Sequence, residues 1–213
     1  MVNATAVAAG DGLTERAACR RLRRLAAQVP AGQTIVELGA YKGRTTAWLA
    51  LGASEGDGAT VVSVDPWDLR ADDDWPAGYA QVEPAYATGV YSQSGTFTAY
   101  RDHLRACGAL MRVWTVRGFA AEVGHGWQGQ PVGLLWHDAE HTADAVADDL
   151  TAWLPHLAPG AVVALHDAGN PLMGVMAGAK RVLNNPDFDW RHRKLYRWRK
   201  DPTRRGMLVV RKR

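Results

Sequence analysis

Cysteine is nearly absent from this 213-residue chain. Cys19 and Cys107 alone support neither a disulfide framework nor a zinc site. No apolar run approaches the roughly 20 residues that a membrane-spanning helix needs. Residues 1–12 carry small apolar side chains but no basic start and no secretory apolar stretch, so a signal peptide is not expected. The cytoplasm is the compartment these absences point to. A Gly-x-x-x-x-Gly-Lys-Ser/Thr loop is missing, and Ser92, Ser94 and Gly95 do not form a nucleophile elbow, which sets aside P-loop phosphate chemistry and serine hydrolysis. There is no internal repeat and no low-complexity segment.

What the chain does have is apolar material in the right order. A 47% hydrophobic composition suits one compact domain over residues 1–213 with a sizeable core. Residues 1–32 read as a helical lead-in, with helical spacing from Leu13 to Val29 and a basic face of Arg16, Arg20, Arg21, Arg23 and Arg24. Strands are expected at Thr34–Leu38, Thr60–Asp65, Val113–Val116, Val132–Trp136 and Ala161–Leu165. Helices are expected at Arg44–Ala53, Thr96–Ala106, Thr142–Leu154 and Leu172–Asn184. Such alternation predicts an α/β fold, a mostly parallel sheet with helices on both faces. Lys194–Arg199 and Met207–Val210 read as a closing hairpin. Residues 66–95 hold three prolines and several aromatics with little periodicity, too long for a plain connection, and read as a lid or substrate loop.

The segment Ile35-Val36-Glu37-Leu38-Gly39-Ala40-Tyr41-Lys42-Gly43 is a buried strand, a glycine turn and a helix start, the layout of a nucleotide-type site. Gly39 and Gly43 would let backbone approach a ligand. Glu37 places a carboxylate towards the strand's carboxyl end, where open α/β sheets bind ligands. Asp65 ends the next strand and suits a ribose diol. The glycines read G-x-x-x-G, not the pyrophosphate pattern G-x-G-x-x-G, and Glu37 would repel a phosphate. A nucleoside with a cationic attachment fits better, and S-adenosylmethionine is one. A structural turn with glycine for packing accounts for this segment equally well.

The second half adds His137-Asp138-Ala139-Glu140-His141, Asp149-Leu150-Thr151-Ala152-Trp153, Leu157-Ala158-Pro159-Gly160 and His166-Asp167. With Val36–Gly39 and Val64-Asp65-Pro66-Trp67 in the same order, residues 33–212 resemble the class I S-adenosylmethionine-dependent methyltransferases. The nearer likeness is to the small-molecule O-methyltransferase branch, methyltransferase family 24-like. The resemblance implies a Rossmann-like sandwich, a mostly parallel seven-stranded sheet with a C-terminal antiparallel hairpin. It implies S-adenosylmethionine as cofactor, held by Glu37, Gly39, Tyr41, Gly43, Asp65, Trp67, Gly118, Phe119 and Asp138. For Tyr41, Trp67 and Phe119, core packing is the competing account.

The same branch implies a divalent ion, Mg²⁺ or Mn²⁺, between acids of the last two motifs. Asp138, His166 and Asp167 are the candidates here, and a nitrogen ligand would tilt the site from Mg²⁺ towards transition metals. Asp167 as a cap of the following turn is the plainer alternative. His141 lies three residues beyond Asp138, and an imidazole that titrates near neutrality can accept a hydroxyl proton. In this D-x-x-H setting His141 is the expected catalytic base, against a helix-start histidine packed on its loop. His137 is expected to be structural.

Charge is unevenly spread: residues 191–213 carry 11 Lys/Arg and one acid, leaving 14 basic and 21 acidic residues elsewhere. The expectation is a solvated hairpin and a small-molecule acceptor, with no membrane and no nucleic-acid partner; a homo-oligomer is compatible with the sequence. Two other readings stay open: a methyltransferase-fold enzyme catalysing a cyclisation or other non-methyl reaction, and an RNA-binding methyltransferase using the basic end.

Overall fold

The computed structural model describes residues 1–67, 95–197 and 206–213. The expected lid, with Trp75, Tyr79, Tyr86 and Tyr91, therefore lies outside the described residues but for its ends, as do Trp198 and Arg199 of the hairpin.

The chain begins with α1 (Ala4–Ala9) and α2 (Arg16–Ala26) and then alternates β1 (Thr34–Leu38), α3 (Arg44–Glu55) and β2 (Thr60–Asp65). α4 (Thr96–Ala106), β3 (Val113–Arg117), α5 (Ala120–His125), β4 (Val132–His137), α6 (Ala143–Trp153) and β5 (Leu157–Leu165) continue the pattern. α7 (Val175–Leu183) precedes the pair β6 (Lys194–Tyr196) and β7 (Met207–Arg211). The seven strands form one sheet in the order β3-β2-β1-β4-β5-β7-β6. The first five are parallel, and β7 runs antiparallel to both β5 and β6. The expected α/β architecture and its antiparallel close are both present.

All five residues of β1 are buried, as a strand covered on both faces should be. Alternation then divides its side chains between two cores. Ile35 joins Leu22, Leu49, Tyr100, Leu134 and Trp136 under α2, α3 and α4. Val36 and Leu38 join Leu135, Leu150, Trp153, Val163 and Leu183 under α6 and α7. Both cysteines are free and buried, and burial pushes the Cys19 thiol up to about 12.

Two elements depart from the sequence reading. β5 begins at Leu157, not Ala161: Leu157 pairs with Val132, the register shifts, and Val162 pairs with Leu134. The left-handed Gly160 lies within that shift. The lead-in is two helices, with residues 10–15 crossing between them towards the carboxyl ends of the strands.

Candidate active site

A cavity of about 230 Å³ opens at the carboxyl ends of β1, β2, β4 and β5. Four turns line it: Gly39 to Lys42 after β1, Asp65 and Pro66 at the end of β2, Phe119 to Ala121 after β3, and Asp138 to His141 after β4. His166 and Asp167 after β5 complete the floor, and Gly12, Leu13 and Thr14 close one side.

Gly39 decides how closely these turns approach. Its backbone is left-handed at φ 86°, and a Cβ there would lie 2.2 Å from the Asp138 carbonyl oxygen. No other residue lets the end of β1 lie against the end of β4 so closely. The Asp138 amide donates to Leu38 O at 2.8 Å, locking the same approach. Asp65 sits opposite. Its Oδ2 accepts from the amides of Ala40 (2.8 Å) and Tyr41 (2.9 Å), and its Oδ1 accepts from the Trp67 amide at 2.6 Å. The strand-end acid thus shapes the β1–α3 turn while bordering the cavity.

At the floor, Asp138, His141 and Asp167 bring ligand atoms within 4.8 Å of one another. His141 Nε2 is 3.1 Å from Asp167 Oδ2 and 3.8 Å from Asp138 Oδ1. His166 Nδ1 is 3.1 Å from each of Asp138 Oδ1 and Asp167 Oδ2, and its Nε2 is 2.8 Å from Glu15 Oε2. Burial opposes charge on every member, yet the pairing outweighs it. The imidazoles of His166 and His141 hold the carboxyls of Asp138 and Asp167 well below the usual carboxylate range. The same carboxylates raise His141 to about 9 and lift His166 well above its ordinary value. Asp167 adopts a left-handed backbone at φ 55°, a conformation aspartate tolerates better than most residues, and it aims the carboxylate back at the cluster.

Eight of the sequence-predicted residues border the cavity: Gly39, Tyr41, Asp65, Phe119, Asp138, His141, His166 and Asp167. Four do not. Glu37 lies one residue before the end of β1, so alternation sends its side chain into the core beneath α3. There it accepts from Thr46 Oγ1 and, at 2.8 Å, from Ser63 Oγ. Burial pushes its carboxyl up to about 8, against those two hydrogen bonds. Gly43 is the left-handed residue that starts α3, packed against the Tyr100 ring. Gly118 closes the turn after β3, with its amide donating to Asp65 O at 3.1 Å. Trp67 is fully buried between Tyr100 and Phe97, ring centroids 4.8 and 5.1 Å away. Its indole donates to Tyr41 O at 2.8 Å, so it supports the β1–α3 turn from behind. For Trp67 the core-packing account is the one that fits. His137 is structural as expected, its Nε2 2.9 Å from Asp149 Oδ2 of α6.

Sequence reasoning missed the contribution of residues 10–15. Thr14 Oγ1 donates to Asp138 Oδ2 at 2.8 Å across 124 residues of chain, and Arg44 donates to the carbonyls of Gly10 (3.0 Å) and Thr14 (2.9 Å). No local pattern marks such contacts; only the threonine and glutamate themselves could have drawn notice.

Comparison with known proteins agrees with this geometry. Residues 36–168 match the family described as a methyltransferase domain, a span running from β1 to the floor of the cavity. The cofactor-bound structure of Rv0187 from MTB superposes with a TM-score of 0.69 at 19% identity, covering 98% of this chain and 87% of that one. The O-methyltransferase from Bacillus cereus in complex with SAH gives the same TM-score and coverage at 15% identity. TomG, an O-methyltransferase from Streptomyces achromogenes involved in tomaymycin synthesis and solved with SAM, gives 0.64 at 17% identity, covering 94% and 81%. No curated protein sequence matches the chain significantly. With its mostly parallel sheet, antiparallel close and motif-bearing strand ends, the chain belongs to the methyltransferase-domain family and has the class I methyltransferase fold.

Proposed function

We propose that this protein transfers a methyl group from S-adenosylmethionine to a hydroxyl of a small molecule, with a divalent ion at Asp138 and Asp167. One observation carries the reading. Two carboxylates and an imidazole converge within 4.8 Å on the floor of a cavity whose other walls are the β1 turn, Asp65 and Phe119. Family membership and the SAM and SAH complexes of the structural relatives support the donor; TomG's part in tomaymycin synthesis supports a natural-product acceptor.

The residues fit the donor by their chemistry. Gly39 borders the cavity with backbone alone, Asp65 borders it as a hydroxyl acceptor, and Phe119, 45% exposed, offers an aromatic face of the kind a cation or purine favours. S-adenosylmethionine, when bound, supplies a methyl group on a sulfonium leaving group, so the protein's work is alignment and exclusion of water. Two carboxylate oxygens at one rim are an adequate start for Mg²⁺ or Mn²⁺. Such an ion lowers the pKa of a hydroxyl bound to it.

His141 takes the third place in the group. We assign it to accept the hydroxyl proton in its neutral form. The carboxylates of Asp138 and Asp167, the latter 3.1 Å from Nε2, raise its pKa to about 9 and hold it as the imidazolium at neutral pH, and a cation on those carboxylates would lower that value. Both nitrogens of His166 already face carboxylates, so we assign His166 to holding those carboxylates and not to the ion.

Methyl transfer to a panel of hydroxyl-bearing acceptors, run with chelator and then with Mg²⁺ or Mn²⁺ restored, tests the reading. Activity is expected to fall with chelator and return with the ion. His141→Ala is expected to lower turnover by about 10²–10⁴-fold, the range of general-base catalysis, with partial recovery as pH rises. Full activity in chelator together with a fully active His141→Ala would sink the mechanism and leave the fold standing.

A further inference from the structure

Residues 10–15, which link α1 to α2, reach into the floor of the site at two points. At the first, Thr14 Oγ1 donates to Asp138 Oδ2 at 2.8 Å and is itself 3.2 Å from Thr45 Oγ1. A hydroxyl has one proton to give. Thr14 gives it to the carboxylate and accepts from Thr45, so the direction of the chain Thr45 to Thr14 to Asp138 is fixed. The two hydrogen bonds from Arg44 to the carbonyls of Gly10 and Thr14 clamp the segment in place. A Cβ on Gly12 would come within 2.7 Å of Arg44 Cβ, so the segment lies tight against the start of α3.

At the second point, Glu15 Oε2 is 2.8 Å from His166 Nε2. A carboxylate of this kind accepts, so Nε2 carries a hydrogen, and the ring is turned with Nδ1 between Asp138 Oδ1 and Asp167 Oδ2, 3.1 Å from each. The ring has little other freedom. It is 3% exposed, the Trp136 ring stands edge-on to it at 5.7 Å, and the His166 amide donates to His137 O at 3.0 Å. One imidazole therefore sets the spacing of both carboxylates, and an acid 151 residues earlier in the chain sets the imidazole.

We infer that Glu15 and Thr14 are positioning residues of the Asp138–Asp167 pair: Glu15 acts through His166 on both carboxylates, and Thr14 acts directly on Asp138. The inference rests on the reading of that pair as the reactive centre. The α1–α2 connection is on this view a working part of the site. Outer partners of this kind orient the inner groups, and their loss costs about 10–100-fold in metal affinity or activity.

The test compares wild type with Glu15→Gln, Glu15→Ala and Thr14→Val, each first checked for a native circular dichroism spectrum and melting curve. Ring ¹H–¹⁵N spectra of the histidines read the geometry without any metal. The wild type should show a hydrogen-bonded Nε2–H on His166, protected from exchange. It should survive in Glu15→Gln, whose amide oxygen still accepts, and vanish in Glu15→Ala. Mn²⁺ alone, followed by electron paramagnetic resonance, should bind about 10–100-fold more weakly to Glu15→Ala and more weakly to Thr14→Val, yet within about threefold of wild type to Glu15→Gln. Affinity for S-adenosylhomocysteine should stay within about threefold in the two Glu15 variants, since Glu15 does not line the cavity. A wild-type spectrum without the protected Nε2–H overturns the inference, as does a folded Glu15→Ala with wild-type Mn²⁺ affinity. If the wild type binds no Mn²⁺ at all, the metal half of the proposed function fails, and the ring spectra alone decide the positioning role.

Discussion

Glu37 is the residue where side-chain parity matters most. Its position near the end of β1 suggested a ligand contact, but β1 ends on Leu38, and the period of two turns Glu37 away from the cavity and into the core. Its Oε2 is satisfied by Thr46 and Ser63, while its Oε1 has no hydrogen-bond partner among the described residues. Burial raises its pKa from 4.5 to about 8. Between those values the folded protein keeps a proton that the unfolded chain releases, so stability is greatest below the unfolded value and falls as pH rises, levelling off above about 8. Glu37→Gln should abolish that slope. The amide leaves a buried donor without an acceptor, at a cost of about 1–3 kcal/mol, so the variant is not expected to be more stable at pH 5. Its disadvantage should shrink or reverse by pH 8, each kcal/mol corresponding to roughly 2–4 °C in melting temperature for a chain of this size. Melting curves that run parallel across pH 5 to 8 would contradict the assignment.

At the scale of elements, the β1–α3 turn joins fold to site. Gly39→Ala would force a methyl group to within 2.2 Å of the Asp138 carbonyl in a left-handed backbone. Overpacking costs about 1–3 kcal/mol, and the backbone adds about 1–2 kcal/mol. A lowered urea midpoint together with weakened S-adenosylhomocysteine binding is expected; an unchanged midpoint with unchanged affinity would mean that the turn is not built as described. The parallel strands were the most legible elements, because runs such as Val132–Trp136 and Ala161–Leu165 are apolar on both faces and lead directly into a histidine and an acid. Asp65, Asp138 and Asp167 could be placed on one rim because strand ends of one sheet share it. The left-handed Trp67 was less legible: next to a motif acid it looked like a cofactor wall, and only tertiary packing on Tyr100 and Phe97 reveals a core role. Glu15 and Thr14 were illegible for a different reason. Their partners lie 151 and 124 residues away, respectively, and a one-dimensional pattern carries no sign of such a meeting.

For the whole molecule, charge and cofactor are the two questions. Arg21 of α2 lies 3.6 Å from the centre of the Tyr196 ring of β6, so the basic helix and the basic C-terminal pair touch at that point. A diffuse cationic surface attracts polyanions through counterion release, and such binding weakens steeply with salt. Filter binding with generic RNA should give weak affinity that collapses between about 50 and 200 mM salt. Tight, sequence-selective binding at physiological salt would make RNA the acceptor and displace the small-molecule reading.

The central claim is that the cavity between the β1 turn, Asp65 and Phe119 takes an adenosyl amino acid. Calorimetric titration with S-adenosylhomocysteine tests it most directly, without an acceptor or an ion. The account predicts one-site, saturable binding to the wild type and at least about tenfold weaker binding to a folded Asp65→Asn, the loss of about 1.4 kcal/mol that a charged hydrogen bond readily exceeds. No saturable heat with S-adenosylhomocysteine, under conditions where NAD does bind, would contradict it.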